Sequence, residues 1–204
     1  MKKNLLLVLT RNPELGKCKT RLAATVGDQT ALDIYTFLLQ HTVNLTQNLP
    51  VEKWVFYSEE IGKNDMWDNA IYGKHLQVGS NLGERMLNAF QKGFEADFEQ
   101  VIIIGSDMFH LSQKDLETAF DQLENHDYVL GPAEDGGYYL LGMKTLTPKL
   151  FKNKKWGTDS VLLDTLNDLK LENVALLPVR NDVDYYEDIK DIAAFAPFLK
   201  HIKQ

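Results

Sequence analysis

The run Val101-Ile102-Ile103-Ile104-Gly105-Ser106-Asp107 limits the possible folds more than any other stretch of the chain. Four β-branched residues in succession, with no polar alternation, read as a strand buried on both faces, the usual central strand of an α/β sheet. The apolar run stops at Gly105 and Ser106, and Asp107 stands where the strand ends. Ligands of open α/β sheets bind beyond the carboxyl ends of the strands, where a carboxylate is well placed for a metal ion. Asp107 could instead cap the next turn with help from Ser106, and both readings stay open at this point.

With 204 residues, 44% apolar and 25% charged, the chain suits one well-buried domain over residues 1–204 and is short for two. No apolar run approaches the length of a membrane span. The start, Met1 to Leu9, imitates the front of a signal peptide. Its apolar part is short, however, no small-residue cleavage site follows, and Arg11 comes at once, so Leu5 to Leu9 is expected to be the first buried strand. Cys18 is the single cysteine, which excludes an internal disulfide and points to a reducing cytoplasm. A net charge of −7 argues against a general nucleic-acid binder.

Strand and helix patterns alternate along the chain. Thr30 and Asp33 have capping-box spacing before a helix whose Leu32, Tyr35, Leu39 and Val43 share a face. Lys53 to Ser58 reads as a strand, and Glu59 to Lys74 as irregular chain with room for one short helix. Leu82, Met86, Phe90 and Phe94 form a helical stripe after Asn81 and Glu84, and Ser112 with Asp115 opens a further helix. Asp127 to Leu130 and Tyr138 to Gly142 read as strands. A helix capped by Thr158 or Asp159 is expected to run to about Leu169, then a strand over Val174 to Val179, and a last helix packed through Ile189, Ile192 and Ala196. The alternation gives one α/β domain.

Between the first strand and Arg21 lie Arg11, Lys17, Lys19 and Arg21, four cations in eleven residues of an acidic protein. Lys and Arg supply the donors that phosphate needs, and Gly16 allows the backbone an unusual approach, so this loop is a candidate phosphate site. It is not a Walker loop, because the order and spacing of its Gly, Lys and Thr are wrong. A solvated basic loop is the alternative. Asn81 and Gly83, in a Gly/Ser/Asn-rich approach to a helix amino end, could hold part of a nucleotide or simply form a capped helix. Glu134-Asp135-Gly136-Gly137 is a strong turn signal. Its two acids are either turn residues or, beside glycines that clear space, ligand-facing groups.

Four pieces together resemble a known pattern: Gly16-Lys17-Cys18-Lys19-Thr20-Arg21-Leu22, Ile104-Gly105-Ser106-Asp107, Gly131-Pro132-Ala133-Glu134-Asp135-Gly136-Gly137-Tyr138-Tyr139-Leu140, and Asp182-Val183-Asp184-Tyr185-Tyr186-Glu187-Asp188. Over nearly its whole length the chain resembles the DUF2064 family, grouped with glycosyltransferases of the GT-A, or nucleotide-diphospho-sugar transferase, fold. The basic loop is also similar to that of 2-phospholactate guanylyltransferases. The resemblance implies a single-domain three-layer α/β/α sandwich with a mostly parallel mixed sheet. It implies a divalent cation, Mg²⁺ or Mn²⁺, held by Asp107 and Asp184. Two positions depart from the family pattern: Phe109 replaces a proline, and Tyr185-Tyr186 replaces Thr-Pro. Neither removes a metal ligand, and both bear on the shape of the acceptor site.

The expected chemistry is transfer from an activated nucleotide. Displacement at an anomeric carbon or at phosphorus expels a phosphate group, and the charge building there calls for a cation clamp. Arg11, Gly16, Lys17, Lys19, Arg21, Asn81 and Gly83 are the candidate nucleotide-binding residues, with Lys19 also catalytic. Asp135 is the candidate for orienting or deprotonating the acceptor, with Glu134, Gly136, Gly137 and Tyr138 on the acceptor side. Glycosyl transfer from a nucleotide sugar to a small acceptor is the first expectation. Nucleotidyl transfer from a nucleoside triphosphate to a phosphorylated small molecule, releasing pyrophosphate, is the second, and a nucleotide-binding module without catalysis is the third.

Overall fold

A computed structural model describes residues 3–202. Its described strands form one seven-stranded sheet in the order β3-β2-β1-β4-β6-β5-β7. They are β1 Asn4–Thr10, β2 Glu52–Tyr57, β3 Gly73–Leu76, β4 Gln100–Ile104, β5 Tyr128–Pro132, β6 Tyr138–Met143 and β7 Val174–Leu176. β6 runs antiparallel to both β4 and β5, and the remaining neighbours pair in parallel. The sheet is therefore mixed and mostly parallel. Each residue of β4 from Val101 to Ile104 is at most 3% exposed, as its β-branched run requires.

Alternate residues of the central strands feed two cores. Leu6, Val8, Ile102 and Ile104 face Tyr35, Leu39 and Val43 of α2 (Asp28–Thr46) and Leu116 and Leu123 of α4 (Gln113–Asn125). Leu5, Leu7, Val101 and Ile103 face Met86, Ala89 and Phe90 of α3 (Leu82–Glu95), together with Leu150, Phe151 and Leu169. Helices on both faces of the sheet make the expected three layers. A third cluster joins Leu22 and Val26 of α1 (Thr20–Val26), Ile34 and Leu38 of α2, and Ile189 and Phe195 near the carboxyl end.

Several local expectations are corrected. Thr30 and Asp33 form no capping box: α2 begins at Asp28 after Gly27, and Asp33 accepts a bond from Gln29 instead. Leu32 is only half-buried, because α2 has two apolar faces, one toward the sheet and one toward the carboxyl-terminal segment. The basic loop ends inside a helix, since Thr20 and Arg21 open α1. The segment read as irregular through Lys74 contributes the edge strand β3. The last helix is replaced by two short 3-10 turns, Tyr186–Asp188 and Ala193–Phe195. There Ile189 and Phe195 are fully buried by tertiary contacts alone, and the apolar spacing imitates a helix. Neither Thr158 nor Asp159 caps α5 (Val161–Asp168): Ser160 holds the cap position, its hydroxyl donating to Asp164 Oδ2 rather than capping the backbone, and Thr158 Oγ1 donates to the Lys155 carbonyl.

Candidate active site

β1, β4 and β5 point the same way, so the loops after them meet at one edge of the sheet. Gly105 ends β4, and a Cβ there would lie 2.9 Å from Asp107 Oδ1, so its absence lets the carboxylate fold back over the strand end. Asp107 caps nothing: the box at the start of α4 is made by Ser112 and Asp115. Ser106 is buried instead, bonding to Thr10 Oγ1 and Tyr35 Oη. Tyr35 Oη also accepts the Arg11 N–H at 2.9 Å. This buried hydroxyl network fixes the start of the basic loop against α2 and β4.

Lys19 carries the loop's charge to the strand end. Its backbone is left-handed, with φ 48° and ψ 47°, a conformation a non-glycine residue adopts at a cost of about 1–3 kcal/mol. Two ion pairs hold it there: Nζ lies 2.7 Å from Asp107 Oδ2 and 3.0 Å from Asp184 Oδ1. Burial disfavours this ammonium's charge, but Asp107 and Asp184 more than offset that and raise its pKa above the ordinary lysine value. Arg21 reaches the other Asp184 oxygen at 2.8 Å, with its guanidinium 5.7 Å from the centre of the Tyr185 ring.

A third acid completes the group. One carboxylate oxygen from each of Asp107, Asp182 and Asp184 lies within 4.8 Å of the others. Burial, then the Asp107 and Asp184 charges, push the Asp182 carboxyl up to about 6. Asp182 is absent from the candidates drawn from the sequence. Its signal was available: in extended chain, residues i and i+2 point to one side, so Asp182 accompanies Asp184.

Two compartments meet at these acids. The larger, a cavity of about 760 Å³, is lined by Arg11, Lys17, Lys19, Arg21, Asn81 and Arg85. Lys17 is largely exposed and tied to Glu14 at 2.6 Å. Gln77, with its amide nitrogen donated to the Thr10 and Phe56 carbonyls, turns Oε1 toward Arg85 at 3.4 Å. Asn81 caps α3 by accepting the Glu84 N–H, and so faces this cavity as a structural residue as well. The smaller compartment, about 190 Å³, is walled by Met86, Met108, Tyr138 and Trp156, with Gly137 and Asp135 at the turn. Asp107, Asp135 and Asp182 border both. Asp135 is exposed and accepts the Gly137 N–H at 2.8 Å, so it is at once a turn residue and part of the cleft wall.

Four of the candidates line neither compartment. Gly16 sits in the left-handed region (φ 73°) on the outer part of the loop. Gly83 is buried under Trp156: a Cβ would stand 2.4 Å from the indole Nε1. Gly136 clears space for backbone rather than ligand, since a Cβ would meet the Asp159 carbonyl oxygen at 2.3 Å. Glu134 is exposed, and its N–H bonds to the Arg180 carbonyl. Phe109 packs among Phe37, Phe195 and His41, away from the cleft. Arg85, Gln77, Met86, Met108, Trp156 and Asp182 are among the lining residues that the sequence reading did not name as candidates.

This fold matches that of the nucleotide-diphospho-sugar transferases. Residues 41–158 match the family model described as "Uncharacterized protein conserved in bacteria (DUF2064)", and the chain belongs to that family. A crystal structure from Desulfovibrio desulfuricans G20, named a "putative nucleotide-diphospho-sugar transferase", is 31% identical, with a TM-score of 0.82 over 91% of this chain and 84% of that one. The 4-diphosphocytidyl-2C-methyl-D-erythritol synthase of Anaerococcus prevotii is 10% identical, with a TM-score of 0.60 over 93% of each chain. A CMP:2-keto-3-deoxy-manno-octonic acid synthetase complexed with CTP is 11% identical, with a TM-score of 0.54 over 95% of this chain and 98% of that one. These last two likenesses establish the fold alone. No curated protein matches the chain. Among the described residues no helix is long and apolar enough to cross a membrane.

Proposed function

We propose that the protein is a transferase acting on an activated nucleotide, and that it moves a glycosyl group from a nucleotide sugar to a small acceptor. One observation carries this reading: a cation-lined cavity opens, through Asp107, Asp135 and Asp182, onto a second small compartment at the carboxyl ends of the strands. The likeness to the Desulfovibrio protein supports the same class.

In this reading Arg11, Lys17, Lys19, Arg21 and Arg85 receive the phosphates, and Lys19 exchanges its carboxylate partners for a phosphate oxygen when the nucleotide arrives. The Asp107, Asp182 and Asp184 oxygens fit a hard divalent cation such as Mg²⁺ or Mn²⁺, which prefers carboxylate ligands. When bound, such an ion would offset negative charge developing on the leaving diphosphate. Asp135 orients the acceptor hydroxyl and takes its proton. The new bond joins the acceptor oxygen to the anomeric carbon, the bond from that carbon to the phosphate oxygen breaks, and the nucleoside diphosphate leaves with the bonding pair.

Nucleotidyl transfer is the second reading. The five cations of the larger cavity favour it, since a triphosphate needs more positive charge than a diphosphate. The products separate the two. Incubation with a panel of nucleotide sugars and nucleoside triphosphates, with Mn²⁺ and a mixture of small alcohols and phosphate esters, should release nucleoside diphosphate. Pyrophosphate as the product would replace the first reading with the second, and neither product with any donor would remove both.

A further inference from the structure

The smaller compartment differs from the larger one in charge. Among the described residues no Lys, Arg or His lines it, whereas Asp107, Asp135 and Asp182 do. Lys155, beside Trp156, is exposed and outside the lining, and two other nearby cations are held by acids. Lys19 is held between Asp107 and Asp184, and Lys154, two residues before Trp156, turns onto Asp168 at 2.7 Å. With a cation held by Asp107 and Asp182, the charge left facing this space is that of Asp135, so a phosphate or carboxylate entering it would lose water and meet a like charge and an apolar wall in place of Lys or Arg donors.

The remaining wall is apolar and aromatic. Tyr138 and Trp156 meet edge to face, with ring centres 6.5 Å apart and planes at 83°. Trp156 is fixed from behind, because Gly83 leaves its indole no gap to fall into. The Tyr138 hydroxyl has one hydrogen-bond partner among the described residues, the Met86 thioether at 4.0 Å, and sulfur is a weak acceptor. An O–H with so poor a partner in an apolar wall is a donor left over for a ligand.

On the transferase reading above, we infer that this compartment takes an unphosphorylated, non-anionic acceptor: a small molecule whose apolar face lies against Trp156 and Met86 and whose hydroxyl or amine reaches Tyr138 and Asp135. A phosphorylated acceptor, which the nucleotidyl-transfer reading needs, is disfavoured by the same charge pattern.

Three probes of one shape test this: cyclohexylmethanol, cyclohexylmethylamine and cyclohexylmethyl phosphate, titrated into the full chain and followed by the fluorescence of Trp156. The other tryptophans pack elsewhere, Trp54 against His75 and Phe98 and Trp67 against Tyr72, and Trp156→Phe identifies the signal by its loss. The alcohol and the amine should perturb Trp156 at concentrations at least tenfold below the phosphate. Thr158→Lys, which adds a cation at an exposed lining position, should abolish that preference. Perturbation of Trp156 by the phosphate at concentrations equal to the alcohol would overturn the inference, and so would no response of Trp156 to any probe. Calorimetry with UDP and GDP in the presence of Mn²⁺ tests the nucleotide reading separately, because those ligands occupy the cation-lined cavity. If they bind and the probes show no charge preference, only the acceptor assignment falls; if they do not bind, the transferase reading falls with it.

Discussion

The Lys19 ammonium lies 2.7 Å from the Asp107 carboxylate, across 88 residues of sequence. The pair joins the loop after β1 to the end of β4, and Asp184 brings the segment after β7 to the same point. An ammonium thus stands among the carboxylates that would hold a metal ion. On the proposed reading, nucleotide and cation binding would be coupled through this one side chain.

Lys19→Met exposes that coupling. It leaves Asp107, Asp182 and Asp184 without the charge between them, so Mn²⁺ affinity in the absence of nucleotide should rise several-fold. The melting temperature should fall, and Mn²⁺ should restore part of it. The loss should stay below the roughly 3–5 kcal/mol of a fully buried broken pair, because the Asp107 and Asp184 side chains are 33% and 28% exposed. Calorimetry and thermal melts with and without Mn²⁺ measure both effects. An unchanged Mn²⁺ affinity would show that the lysine and the ion do not share the site.

Asp107→Ala addresses the metal ligands from the other side. In the wild-type protein, affinity for a nucleoside diphosphate should rise at least several-fold on adding Mn²⁺, and the variant should lose that gain. Equal affinity in Mn²⁺ and in chelator for the wild-type protein would rule out a metal-assisted site.

Asp135→Asn separates a turn residue from an acceptor-facing one. The amide oxygen still accepts the Gly137 N–H that now bonds at 2.8 Å, so the hairpin between β5 and β6 should persist and the melting temperature should barely move. Turnover should collapse while nucleotide affinity stays within about twofold, the pattern of lost proton transfer rather than lost binding. Lost stability with retained turnover would make Asp135 a turn residue and nothing more.

Gly83→Ala tests the packing of the aromatic wall. The new methyl would stand 2.4 Å from Trp156 Nε1 and 2.7 Å from the Phe151 carbonyl oxygen, so the indole or the start of α3 must shift. Overpacking of this kind costs about 1–3 kcal/mol. The melting temperature should fall and the Trp156 emission should change, with the nucleotide affinity of the other cavity retained. A parallel loss of nucleotide affinity would return Gly83 to the nucleotide site.

Asp115 provides a pH dependence whose sign is fixed. Burial works against its charge, but the Ser112 hydroxyl and N–H and the Arg180 guanidinium, 2.6 Å away, hold its carboxyl below the ordinary range. A carboxyl depressed in the folded state adds stability above its unfolded pKa, about 3.9, and loses it as pH falls through the folded value. The stability advantage of the wild-type protein over Asp115→Asn should be flat above about pH 5 and shrink below about pH 4. Melts across that range measure it, and an advantage that grows toward low pH would contradict the assignment.

The sheet, and the strand end at which Asp107 stands, were legible in the sequence alone. A short run of β-branched residues such as Val101 to Ile104, stopped by Gly105, favours a buried strand, so its end, and Asp107 with it, could be located before any coordinates. The cations of the basic loop were visible as well, but not that Lys19 and Arg21 pair with Asp107 and Asp184. What the sequence could not supply is what depends on contacts between distant segments. Asp182 joins Asp107 only because the chain after β7 returns to the end of β4. Gly83 and Gly136 look alike as room for a ligand, yet the space beside each is filled by Trp156 and by the Asp159 backbone. The apolar spacing of Ile189, Ile192 and Ala196 fits a helix, but the segment is held in 3-10 turns by burial against α1 and α2. Period and propensity describe a residue's own turn or strand. Which atoms fill the space beside it is decided by segments far away in the chain, and so only by the tertiary structure.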